Sequence, residues 1–173
     1  MPEPQTTQPS FLDSNVWVPL PPYAAAVRAT SIHAFLVEDN PDIRDTIVET
    51  MEELAPVRFV GLATNEDSAR LWLGANDGYW DIAIIDLMLA QGTGFGVLSE
   101  CQQRPEMQKV VVLTSFVDEH FRQRCIELGA DEVFDKAKDI EKLVDYCRVH
   151  AMYLAFMRDS GIAPPPADSE IFP

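Results

Sequence analysis

Five positions in this chain carry side chains that could do chemistry together: Glu38, Asp39, Asp86, Thr114 and Lys136. Three carboxylates, a hydroxyl and an ammonium make a set in which like charges conflict. At ~4 Å and an effective dielectric of ~20, two carboxylates repel by roughly 4 kcal/mol, so a converged cluster either holds protons or holds a cation. An all-oxygen donor set of this kind suits magnesium, which keeps waters that a phosphate can replace. A carboxylate there can act as a nucleophile toward phosphorus and give an acyl phosphate, with Lys136 and Thr114 stabilising the equatorial oxygens.

Convergence requires that these residues share one rim, and the surrounding pattern provides it. Ile32 to Val37 is a short apolar run that ends in Glu38-Asp39 and reads as a buried parallel strand. Asn40-Pro41 starts a helix, with Ile43, Ile47, Met51 and Leu54 at helical spacing. Val57 to Ala63 is the second strand, and Thr64-Asn65-Glu66-Asp67 resembles a capping box for a helix reaching about Ala75. Asp81 to Asp86 is the third strand, followed by a loop at Gln91-Gly92-Thr93-Gly94 and a helix to about Gln103. Val110 to Thr114, a helix ending at Gly129, a short strand from Glu132 to Asp135, and a last helix from about Asp139 to Met157 complete the series. Strands alternating with helices predict an α/β fold: a five-stranded parallel sheet with helices on both faces, a flavodoxin-like doubly wound (βα)5 arrangement. In such a fold the site lies at the carboxyl ends of the strands, where all five residues fall.

This ordered set at successive strand ends resembles the receiver domain of bacterial two-component response regulators over roughly residues 31–150. The resemblance implies that Asp86 is the phosphoacceptor and that Glu38 and Asp39 are the magnesium-binding acidic pair, with Asp86 and the Met88 backbone carbonyl as further ligands of Mg2+ or Mn2+. It makes Thr114 the switch hydroxyl and Lys136 the phosphate-contacting lysine. A histidine kinase or histidine phosphotransfer protein would donate the phosphoryl group, and a downstream protein would read the result. Three departures stand out: Ala90 and Ala137 occupy positions where the family usually has proline, and Val133 replaces the usual switch Tyr or Phe. Gly94 keeps the expected loop glycine. The departures keep open a pseudo-receiver, an interaction module not controlled by phosphorylation. A phosphohydrolase with an aspartyl nucleophile fits less well, because that chemistry places a second acidic residue two positions on, where Met88 stands. The expectation is a phosphoacceptor that labels itself and slowly clears itself, turning over no external substrate.

Composition sets the limits. The 173 residues suit one domain with extensions, divided as a Pro-rich N-terminal segment 1–30, a receiver domain 31–158 with an extended last helix, and a Pro-rich tail 159–173. Segments so short do not form an output domain, so a stand-alone regulator acting on another protein is expected. Thirteen Lys and Arg against 28 Asp and Glu leave a net charge of −15, which repels nucleic acid and anionic membranes. Cys101, Cys125 and Cys147 show no paired spacing, which suits a reducing cytoplasm, and no apolar run is long enough to span a bilayer. His33, His120 and His150 read as structural or surface residues, and Gly92-Thr93-Gly94 alone is too weak to mark a phosphate loop. The last helix carries two apolar stripes: Ile140, Leu143, Val144, Cys147, Ala151 and Leu154 for the core, and Tyr146, Val149, Tyr153, Phe156 and Met157 beside it. The second stripe predicts a contact surface, covered either by apolar residues near Trp17 and Tyr23 or by a homodimer or target protein.

Overall fold

The computed structural model describes residues 31–161. Five strands, β1 (Ile32–Val37), β2 (Val57–Ala63), β3 (Ile82–Ile85), β4 (Lys109–Thr114) and β5 (Glu132–Asp135), form one sheet in the order β2-β1-β3-β4-β5. All four strand pairings are parallel. Five helices connect and follow them: α1 (Pro41–Leu54), α2 (Glu66–Ala75), α3 (Gly94–Glu100), α4 (Glu119–Glu127) and α5 (Ile140–Ser160). The expected parallel sheet with helices on both faces is the observed one.

The apolar strands divide their side chains between two cores, as a sheet covered on both faces requires. Ala34, Leu36, Ile82, Ile84, Val111, Leu113 and Phe134 pack with Ile47 and Met51 of α1 and Leu143, Cys147 and Leu154 of α5. Phe35, Val37, Ala83, Ile85, Val110, Val112 and Val133 pack with Ala69 and Leu73 of α2, Val97 and Leu98 of α3 and Cys125 of α4. Val133 therefore fills the second core, 1% exposed, and offers no ring to the rim.

Capping explains where most helices start. Asn40 accepts from the amides of Asp42 and Ile43 with Pro41 at the first helical position, which leaves Asp39 free of capping duty. Asn65 caps α2 through Ser68, so this is a simple cap and not the reciprocal box expected, and Glu66 turns to another task. Thr93 and Asp118 cap α3 and α4. α3 ends at Glu100, short of the expected Gln103, and α5 runs to Ser160, where Gly161 closes it at φ 60°.

On α5 the core stripe is buried from Leu143 to Leu154. The second stripe divides: Tyr146 is half-buried, edge-on to Phe134 with ring centroids 5.9 Å apart, whereas Val149, Tyr153 and Phe156, joined by Met152, are exposed. The segments 1–30 and 162–173, and the docking expected of the first, lie outside the described residues.

Candidate phosphoacceptor site

Strand register builds the site. Val37 pairs with Ile85, and the Asp86 amide continues that ladder to the Val37 carbonyl at 2.9 Å, so Glu38 and Asp86 leave the sheet side by side. Thr114 pairs with Asp135, and the Lys136 amide bonds the Thr114 carbonyl at 3.1 Å, which seats Lys136 beside the end of β4. Glu38, Asp39, Asp86, Met88, Thr114 and Lys136 all line one cleft of about 260 Å³, together with Ser115 and Phe116. All the residues expected from the sequence are thus brought together.

Lys136 is the electrostatic centre. Its Nζ donates to Glu38 Oε2 at 2.5 Å and to Asp86 Oδ2 at 2.6 Å. Glu38 is 1% exposed and Asp86 5%, so both carboxylates depend on that ammonium. Burial is the largest single influence on Lys136 and pulls its pKa down. The hydrogen bonds and charges of Asp86 and Glu38 together outweigh it and raise the pKa above the ordinary lysine value. The stability this adds is present at neutral pH and is lost only as pH rises through that raised value.

Backbone amides occupy further oxygens. Met88 N–H donates to Asp86 Oδ1 at 3.2 Å and Asn40 N–H to Glu38 Oε1 at 3.2 Å. Asp39 is half-buried; its Oδ2 accepts from the Ala90 amide at 2.8 Å, and among the described residues no cation pairs with it. Glu38, Asp39 and Asp86 each offer one oxygen to a group whose members lie within 4.8 Å of one another. Three carboxylates around one ammonium leave an excess of negative charge, and the oxygen-only donors fit a hard divalent cation.

Several contributors carried no sequence signal. Phe116 brings the aromatic side chain that Val133 lacks: its amide lies 3.4 Å from Thr114 Oγ1, and its ring meets Phe121 edge-on at 5.7 Å. Glu66 accepts from the Thr93 amide at 2.8 Å and ties the loop after β3 to α2. The loop glycine expectation has a steric reason, since a Cβ on Gly94 would collide with the Asp86 carbonyl. The Lys136–Ala137 peptide is trans, like every peptide among the described residues, as expected without proline. His33 and His120 are exposed, while His150 is buried against the Asp81 carbonyl, and burial lowers its pKa.

Of the three clustered carboxylates, Asp39 is the one without a cation partner among the described residues. Asp39→Asn is expected to stabilise the protein in chelator by about 1 kcal/mol, the repulsion of one charge pair at ~4 Å in a water-like dielectric, or a rise in Tm of ~2–4 °C. Millimolar Mg2+ should stabilise the parent, and the variant should lose most of that effect. Thermal unfolding with and without Mg2+ measures both.

The sequence pattern of the response regulator receiver domain matches residues 34–148. The transcriptional regulatory protein CiaR of Streptococcus pneumoniae is 28% identical over 112 residues, covering 65% of this chain and 48% of that protein. A probable transcriptional regulatory protein of Picosynechococcus sp. is 27% identical over 143 residues, covering 78% of this chain and 55% of that protein. This chain spans about half the length of these curated relatives. The receiver domain of the Francisella response regulator 1452 superposes with a TM-score of 0.62 at 17% identity, covering 72% of this chain and 99% of that one. With the sheet order, the match over residues 34–148 and these relatives in agreement, the chain belongs to the response regulator receiver domains of two-component systems.

Proposed function

We propose that this chain accepts a phosphoryl group on Asp86 from a histidine kinase or histidine phosphotransfer protein and signals by changing its affinity for a protein partner. The observation that carries this reading is the Lys136 ammonium bonded at once to Asp86 and Glu38 in a cleft that also holds Asp39 and Thr114. An Asp86 carboxylate oxygen forms the new O–P bond as the donor's bond to phosphorus breaks. Lys136 already sits on Asp86 Oδ2 and is placed to follow the charge onto a phosphoryl oxygen; the Thr114 hydroxyl is placed to donate to another. The residues that would hold Mg2+ or Mn2+ are Glu38, Asp39, Asp86 and the Met88 carbonyl, and a cation there supplies charge for the incoming dianion.

Acetyl phosphate with Mg2+ should add one phosphoryl mass to the purified protein, and chelator or Asp86→Asn should abolish the increment. An unmodified parent chain would instead support the pseudo-receiver reading that Ala90, Val133 and Ala137 keep open.

Met88 and Phe116, 62% and 59% exposed, flank the cleft with apolar side chains that cannot orient an attacking water. The acyl phosphate should therefore be long-lived, and Met88→Asn should raise the self-dephosphorylation rate several-fold. A rate that falls in this variant contradicts the assignment.

The exposed stripe Val149, Met152, Tyr153 and Phe156 on α5 serves in this reading as a contact between copies of the chain. Sedimentation should show a concentration-dependent dimer that Phe156→Asp and phosphorylation state both shift. A monomer in every condition, equally soluble with and without residues 1–28, removes this contact.

A further inference from the structure

The Ala90 amide is the one group among the described residues that bonds the Asp39 carboxylate, at 2.8 Å, and it comes from a loop 51 positions away in the chain. That loop is held firmly. The Glu66 amide donates to the Gln91 carbonyl at 3.3 Å, Glu66 Oε2 accepts from Thr93 at 2.8 Å, and the Gly94 amide returns to the Leu87 carbonyl at 3.0 Å. Gly92, at φ 78°, and Gly96 lie against the Glu66 side chain where a Cβ would collide with it, so small residues let that carboxylate reach the loop. Ala90 thus sits between anchors on either side, and its N–H is a fixed donor.

Asp39 differs from its two neighbours in what holds it. Glu38 and Asp86 are oriented by Lys136 and by near-neighbour amides of Asn40 and Met88. Asp39 has no ion pair, is only half-buried, and keeps Oδ1 without a hydrogen bond among the described residues. A carboxylate on a free rotor loses rotamer freedom when it ligates, whereas one already fixed by a hydrogen bond to its other oxygen does not.

Resting on the metal-dependent reading of the site given above, we propose that the Ala90 backbone N–H is the outer partner that positions Asp39 for the divalent cation. Ala90 acts as a positioning residue through its main chain, and the Glu66-anchored loop is what makes that amide rigid. The side chain is immaterial to this role; only the N–H counts.

The test is Mn2+ binding to the full chain, read from the free-ion electron paramagnetic resonance signal. Ala90→Pro removes the donor and should weaken binding about tenfold, whereas Ala90→Gly keeps the N–H and should stay within about twofold of the parent. Equal affinities for the proline variant and the parent, or equal weakening by proline and glycine, would overturn the proposal. A parent chain that binds no Mn2+ overturns the metal site itself, which is a separate failure. Because proline can distort the loop, amide hydrogen exchange on the parent gives a second reading. The Ala90 amide should exchange slowly, remain slow with saturating Mg2+, and become fast in Asp39→Ala. Loss of protection on adding Mg2+ would show that the cation displaces the amide, and would overturn the proposal.

Discussion

One ammonium shared by two buried carboxylates governs the shape of this molecule's rim. Neighbouring strands lie ~4.8 Å apart, so Lys136, leaving β5, must cross the end of β4 to reach Asp86 beyond β3. Its Nζ reaches farther still, to Glu38 at the end of β1. A long flexible stem ending in a compact charge meets that demand, and the planar guanidinium of arginine does not replace it. Removing the ammonium would strand two carboxylates in the interior, a loss that typically costs about 3–5 kcal/mol. The sheet order and the site are therefore linked: with β1 and β3 adjacent, Glu38 and Asp86 fall within reach of one lysine that crosses the end of β4.

The same charge arithmetic leaves the site with an excess of negative charge. Lys136 offsets one of three negative charges, and backbone amides orient the carboxylates without neutralising them. The fold supports this excess because apolar packing on both faces of the sheet supplies the stability elsewhere. A divalent cation, in the reading proposed above, would offset the charge that the ammonium leaves over and make room for that of an incoming phosphoryl group. In the proposed function, sensitivity to ligands would follow from this incomplete compensation in a rigid frame.

How far the sequence could be read follows from what kind of signal each feature leaves. Ile82 to Ile85 and Val110 to Leu113 announce buried parallel strands because both faces are covered, and charges directly after such runs fall at strand ends. The five site residues were legible for that reason. Phe116, Glu66 and the Ala90 amide were not. Phe116 lies in a loop with no period, Glu66 looked like part of a helix cap, and an amide belongs to every residue but proline. The fate of the second α5 stripe was legible as a pattern only: Tyr146 found Phe134, which no spacing rule foretells, while Val149 and Phe156 stayed exposed.

Ala90 and Ala137, at the two positions where the resemblance predicts proline, share a physical logic. Ala90 donates to Asp39 Oδ2 at 2.8 Å, and Ala137 donates to Asp135 Oδ1 at 2.7 Å. Proline has no N–H and could make neither bond. A hydrogen bond to a charged acceptor contributes about 1.5–3 kcal/mol, whereas the rigidity proline confers on the unfolded chain is worth only ~0.4–1 kcal/mol. Both amides here bond partly exposed carboxylates, so the gain falls toward the lower end and the exchange stays modest. What changes is where the order comes from. In this chain the loops after β3 and β5 are tied to acidic side chains, with Asp135 further fixed by its amide to Asp139 Oδ2 at 3.0 Å. Loop conformation at the rim is thereby tied to the position of those carboxylates, a link that proline, without an N–H, would not provide.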